Sequence, residues 1–225
     1  MLRNTHGKRM LSAKNVSCRR GGRTVLANLD FQLHPGQALE LRGANGSGKT
    51  SLLRVLAGLA PLSDGELFWN DQALHPGDAD HMARLAYLGH QNGLSAELSA
   101  TQNLRFSQQL GGGTEPAAAL HAWNLDSATD QAVRYLSQGQ RRRLALARVW
   151  MGQRLLWLLD EPCAALDSAG EALFDVQLSR HLEAGGMAVI ATHRALAIPA
   201  MALRRVDLDA FPLSSTITEG VYAAC

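Results

Sequence analysis

Eight consecutive residues carry the clearest chemistry in this 225-residue chain: Gly43-Ala44-Asn45-Gly46-Ser47-Gly48-Lys49-Thr50. They fit GxxxxGK[ST], in which glycines let backbone N–H groups turn inward to cradle phosphates at the positive end of a helix. The Lys49 ammonium would neutralise the outer phosphates, the Thr50 hydroxyl would ligate Mg²⁺, and Ser51 would join the nucleotide contacts beside them. Leu155-Leu156-Trp157-Leu158-Leu159 then ends in Asp160-Glu161. An apolar run before an acid puts that acid at the carboxyl end of a buried strand, where open α/β sheets hold their ligands. Asp160 would hold Mg²⁺ through water, and Glu161 would polarise an attacking water.

Four further features extend the set. Gln91 follows the strand ending Leu88-Gly89-His90 and could reach both Mg²⁺ and the attacking water. His193 follows Val189-Ile190-Ala191-Thr192, which would put an imidazole against a terminal phosphate. Asp167, just past the acid pair, could cross a seam between two copies. A lone residue of any of these types after a strand is ordinarily a loop residue, and order and spacing within the larger set give them weight. The fourth feature is Leu136-Ser137-Gln138-Gly139-Gln140. A serine hydroxyl and a bare glycine at a helix start make half of a site for a terminal phosphate. That half is of use only if a second copy brings its glycine loop to it.

These residues need strands and helices to hold them. Met10 to Val16 and Thr24 to Leu33 alternate as strands of an antiparallel lobe joined at Gly21-Gly22, and His34-Pro35-Gly36 turns the chain into a strand over Ala38 to Arg42. Gly48 to Leu59 reads as a helix burying Leu52, Leu53, Val55, Leu56 and Leu59. Gly65 to Asn70 and Arg84 to Gly89 read as strands. From Glu97 to Leu136 the pattern is helical, broken at Gly111-Gly112-Gly113 with Pro116 opening the next helix. Gln138 to Met151 is a helix, Leu155 to Leu159 a buried strand, Ser168 to Ala184 a helix stopped by Gly185-Gly186, and Met187 to Ala191 another core strand.

Composition narrows the class. Hydrophobic content of 46% with 19% charged residues fits a globular fold, and a net charge of +2 is too small to mark an electrostatic nucleic-acid binder. No apolar run approaches the roughly 18 residues that span a bilayer. The basic start lacks an apolar signal core, so the chain reads as cytosolic. Cys18, Cys163 and Cys225 form no metal or redox spacing, and read as incidental thiols in a reducing compartment. Of 22 basic residues only Lys8, Lys14 and Lys49 are lysines. A compact ammonium is thus kept in the glycine loop where arginine serves nearly everywhere else.

Taken together, the motifs resemble the nucleotide-binding domain of ABC transporters over about residues 10–210. The resemblance implies an α/β P-loop fold: a mixed core sheet flanked by helices, an antiparallel β lobe, and a helical subdomain over about 92–150. Gly43–Thr50 look like the Walker A motif, Leu155–Asp160 the Walker B, Gln91 the Q-loop, Leu136–Gln140 the signature, Asp167 the D-loop and His193 the H-loop. It further implies an ATP-sandwich dimer, with Ser137, Gly139, Gln140 and Asp167 of one copy closing on the ATP and Mg²⁺ held by the other. The commonest signature has glycine where this chain has Gln138. Counting back from Gly36 puts Arg20 where the family's adenine-stacking aromatic lies, and a guanidinium plane can stack on a base in its place.

The text between the motifs resembles one branch, the ATP-binding subunit of the bacterial cytochrome c maturation system. Gly89-His90-Gln91-Asn92-Gly93-Leu94, Asn103-Leu104-Arg105-Phe106 and the Arg-rich stretch Arg141–Arg143 with Ala145–Trp150 carry that likeness. It implies integral membrane subunits as partners, a place at the cytoplasmic face of the bacterial inner membrane, and ATP hydrolysis driving a haem-delivery step. No direct haem binding is expected, and no nucleic acid, since neither a coiled-coil insertion nor a second ATPase copy is present. An ATPase serving a different exporter, of lipid, lipoprotein or small molecule, is the alternative that the catalytic motifs leave open. Residues 1–9 and 211–225 extend beyond the resemblance and carry no assignment.

Overall fold

The computed structural model describes residues 10–75 and 77–210; residues 1–9 and 211–225, which carry no assignment, and Lys8 and Cys225 among them, lie outside. A hairpin opens the described chain: Leu11–Arg20 (β1) and Arg23–Leu33 (β2) turn through Gly21 and Gly22, both at positive φ. Ala38–Arg42 (β3) leads into the glycine loop and Lys49–Leu56 (α1). Asp64–Trp69 (β4) and Gln72–Leu74 (β5) complete an antiparallel sheet of order β2-β1-β4-β5. A one-turn helix, Ala79–Met82 (α2), precedes Leu85–Leu88 (β6). Three helices follow, Ala100–Gly111 (α3), Pro116–Ala122 (α4) and Gln138–Met151 (α5). Leu156–Asp160 (β7), Ser168–Glu183 (α6), Met187–Ala191 (β8) and Leu203–Asp207 (β9) follow, and a 3-10 turn over Leu208–Ala210 ends the described chain.

The second sheet has the order β6-β7-β8-β3-β9, and each of its pairings is parallel. Parallel and antiparallel pairing are therefore segregated between two sheets. Every residue of β7 and β8 is buried, as expected of parallel strands covered on both faces. Alternation sorts their side chains between two cores. Leu156, Leu158, Met187 and Val189 face α1 and the antiparallel lobe, with Leu39 and Leu41 of β3. Trp157, Leu159, Ala188 and Ile190 face α5 and α6, together with Leu144, Phe174 and Leu178. On α1, Leu52, Leu53 and Leu56 are fully buried, so truncating one of them to alanine costs about 2–5 kcal/mol.

Several elements depart from the sequence expectation, among them β5 and α2, which no pattern in the sequence marked. The helix α1 stops at Leu56, because Gly58 adopts φ 69° and a Cβ there would lie 2.8 Å from Gly77 N. Leu59 consequently falls beyond the helix and is exposed, not part of its buried face. Strand β1 continues past Val16 to Arg20 through register shifts, with Asn15 at φ 50°, which hides the strand's later half from a period-two reading. Helix α3 begins at Ala100 and not at Glu97, since Ser99 caps it with a reciprocal bond from Gln102.

Strand β9 is a further departure, carrying no alternating apolar signal because it is a half-exposed edge. It nevertheless answers a demand from β3. Glu40, wholly buried on that strand, accepts from Arg42 at 3.1 Å and from Arg205 of β9 at 2.7 Å. A carboxylate buried without such partners would cost several kcal/mol.

Candidate functional site

The strand order is what assembles the site. Adjacent strands β6, β7, β8 and β3 all end at one edge, so the segments leaving them converge. A cavity of about 500 Å³ opens there. Asn45, Gly46, Gly48, Lys49, Thr50 and Ser51 line it from the glycine loop, Asp160 and Glu161 from the end of β7, and His193 from beyond β8. Arg20 and Val25, from the antiparallel lobe, close its other side.

Within the loop, Gly46 and Gly48 have φ of 93° and 98°. A Cβ on Gly48 would lie 2.9 Å from Val25 O, whereas one on Gly46 would stand in open space. The Lys49 ammonium is buried and donates to Gly43 O at 2.5 Å and Ala44 O at 3.0 Å. Gly43, Ala44 and Ser47 form the loop's back and not the cavity wall. Ala44 N–H donates to both oxygens of Asp209, 2.8 and 3.1 Å away, which turns it away from any phosphate. Ser47 Oγ is buried without a partner among the described residues.

Thr50 Oγ1 donates to Asp160 Oδ2 at 2.8 Å. Among the described residues no cluster of three or more His, Cys, Asp or Glu could hold a metal by itself. A hydroxyl and one carboxylate are, however, the hard-oxygen set that suits Mg²⁺ when substrate phosphates supply further ligands, so these residues fit that ion. Glu161 follows at φ 47°, a left-handed backbone that costs a side-chain-bearing residue on the order of 1–3 kcal/mol. Its N–H donates to Ala191 O at 2.8 Å, tying the bend to the end of β8. The turn brings Glu161 Oε1 within 3.4 Å of His193 Nε2.

Other expected residues lie elsewhere. Gln91, expected to reach the metal and the water, does not line this cavity. It faces an adjoining one with Asn92, Leu94, Arg134 and Arg141, and its neighbour His90 takes the wall of the phosphate cavity instead. A pair of arginines on α5 holds the residues on either side of Gln91. Arg142 holds Gly89 O and Asn92 Oδ1, and Arg148 holds the carbonyls of Asn92 and Gly93, drawing the loop toward the helix.

Ser137, Gly139 and Gln140 stand at the N-terminus of α5, away from this chain's own cavity. Ser137 Oγ accepts from Gln140 N–H at 3.1 Å, and Gln140 Oε1 from Ser137 N–H at 2.8 Å. Asp167 likewise caps α6, accepting from Gly170 N–H at 2.8 Å. The signature serine is exposed, as a half-site for another molecule requires.

Two arginines escaped the sequence reading. Arg142, nearly fully buried, donates to Pro162 O, Gly89 O, Asn92 Oδ1, Asp160 O and Glu161 O, at 2.6–3.1 Å. Burial pushes its guanidinium below the usual value, opposed by Asp160, Cys163 and Glu161. Arg194, directly after His193, pairs with Asp175 and Glu171 of α6. The run Arg141–Arg143 hints at the first only as part of the helix that carries the signature, and nothing in the sequence singles out Arg194. Cys163, close by, is pushed up to about 12 and Cys18 to about 11, both chiefly by burial, so neither is a ready nucleophile.

A glycine loop leaving β3, an acid pair ending β7 and an antiparallel lobe beside them define an ABC-type P-loop nucleotide-binding domain. The ABC transporter family model matches residues 26–164. A cytochrome c biogenesis ATP-binding export protein, CcmA 2, from Cupriavidus metallidurans is 46% identical over 191 residues, covering 83% of this chain and 90% of its own. The CcmA of Cupriavidus necator is 48% identical, covering 83% and 84%. A Pyrococcus furiosus chain described as an ABC transporter ATP-binding protein superposes with a TM-score of 0.77 at 20% identity, covering 90% of this chain and 98% of its own. The chain belongs to the ABC transporter family, in the group of cytochrome c biogenesis ATP-binding export proteins named CcmA.

Proposed function

We propose that the chain binds and hydrolyses ATP as a subunit of a membrane ABC complex, and that this hydrolysis drives a haem-delivery step in c-type cytochrome biogenesis. The observation that carries the reading is the convergence of Lys49, Thr50, Asp160, Glu161 and His193 on one cavity while Ser137, exposed, and Gly139, half-buried, stand elsewhere. Lys49 and the loop N–H groups from Gly46 to Ser51 would hold the phosphates. Thr50 and Asp160 would hold Mg²⁺, which offsets phosphate charge when bound. Glu161 would take a proton from a water aligned with the γ-phosphorus, so that the oxygen–phosphorus bond to ADP breaks and inorganic phosphate leaves. His193, already against Glu161, would contact the γ-phosphate, and Gln91 would reach the metal and water after a shift of its loop. Arg20 would stack on the adenine.

Ser137, Gly139, Gln140 and Asp167 would act on the ATP held by a second copy, so that binding closes the dimer and hydrolysis reopens it. No described helix is long and apolar enough to cross a membrane. By its likeness to the CcmA proteins, the chain would sit at the cytoplasmic face of the inner membrane through integral membrane subunits. An exposed apolar surface on α3 supports that docking: Phe106 and Leu110 line a cavity of about 530 Å³ beside the Gln91 loop. Size exclusion of the Glu161→Gln variant with ATP tests the sandwich, with a stable dimer expected and a strictly monomeric species overturning it. Deleting the gene should abolish covalent haem in c-type cytochromes, and normal holocytochrome levels would overturn the assignment to that system.

A further inference from the structure

We infer that Arg142 is a positioning residue for hydrolysis: its one guanidinium holds the Glu161 backbone in its left-handed turn and ties that turn to the loop carrying Gln91. A guanidinium offers five N–H donors in a planar fork and no acceptor. Arg142 meets five acceptors, with Nε on Pro162 O, Nη1 on Gly89 O and Asn92 Oδ1, and Nη2 on Asp160 O and Glu161 O. All three carbonyls of the Asp160-Glu161-Pro162 turn are therefore held by one side chain. The two remaining bonds go to the segment after β6, and the side chain itself projects from α5, whose N-terminus carries Ser137.

Three pieces that must cooperate in a composite site thus share one rigid joint. Glu161 depends on it most. Its φ of 47° is unfavourable for a glutamate and persists because both of its backbone polar groups are held, N–H by Ala191 O and carbonyl by Arg142. A shift of α5 against the second sheet, or of the Gln91 loop against α5, reaches the Glu161 carbonyl through this guanidinium. No lysine could substitute, since three donors on a single nitrogen cannot serve five acceptors spread over two segments.

The inference rests on the assignment of Glu161 to hydrolysis, so the purified full chain is compared as wild type, Glu161→Gln, Arg142→Lys and the double variant, in single turnover with ATP and Mg²⁺. Arg142→Lys is expected to lower the hydrolysis rate by about a hundredfold while ATP affinity changes less than about threefold. The double variant is expected to be no slower than Glu161→Gln alone, because both changes disable one carboxylate. A rate within threefold of wild type for Arg142→Lys overturns the inference, as do losses that multiply in the double variant or a parallel loss of ATP affinity. If Glu161→Gln itself keeps the wild-type rate, the assignment of Glu161 is what fails. Should Arg142→Lys not fold, Asn92→Ala, which removes one of the five acceptors, carries the test. A clear fall in rate at unchanged ATP affinity supports the joint, and an unchanged rate overturns it.

Discussion

Arg20 and Arg142 show how differently two arginines can be read. Arg20 was placed by its distance from Gly36, and the structure does bring it to the wall of the phosphate cavity, on an exposed strand end. Stacked on adenine at an exposed site, its guanidinium would contribute about 0.5–1 kcal/mol. Arg20→Ala should therefore weaken ATP binding about two- to fivefold by titration calorimetry, and unchanged affinity would remove it from the site. Arg142 carries no such positional signature. Its five partners come from two segments distant in the chain, and only folding brings their carbonyls together. Gln91 marks the opposite case, a residue visible in the sequence whose loop is held on either side by Arg142 and Arg148.

Elements were legible where their signals are local. The glycine loop, α5 and α6 announce themselves through caps and apolar periods, whereas β9 and the later half of β1 do not. Ser99 with Gln102 is a local signal that the helical reading from Glu97 passed over, and Ser99→Ala should lower stability by about 1 kcal/mol. In a chain of this size that is a drop of about 2–4 °C in melting temperature, measured by circular dichroism.

On α6, the His181 ring stacks on Trp157 at 3.9 Å between centroids and bonds to Met187 O. Burial, opposed by that bond, pushes the ring down to about 4 from 6.5. Below 6.5 the unfolded chain binds a proton that the folded one refuses until about 4, so this contribution is present above 6.5 and is lost as pH falls through that window. Denaturant titrations should show stability declining there by at most about 1.4 kcal/mol per pH unit from this group. His181→Gln should flatten the slope, and an unchanged slope would show that the ring is not responsible.

At the scale of the whole molecule, the chain presents two half-sites that do not meet within itself: the cavity around Lys49, and Ser137 with Gly139 at the start of α5. Lys49→Ala and Ser137→Arg should each abolish hydrolysis alone. Mixed, they can form one intact composite site, with the glycine loop from the second variant and the signature from the first. Steady-state ATPase measurements should then show activity returning in the mixture, and a mixture as inactive as its components would refute the sandwich.

Two copies are implied already by a signature motif with nothing to do in its own chain. Chain order alone also identifies the phosphate loop, the acid pair and the family, because a few contiguous residues carry that chemistry in their backbone and side chains. The order β6-β7-β8-β3-β9 is not contiguous information. Neither are the left-handed turn at Glu161, the side of the loop that Gln91 faces, or the guanidinium that joins them. Each of these depends on which distant carbonyls and strands come to lie side by side, and that is settled by packing two cores around one sheet.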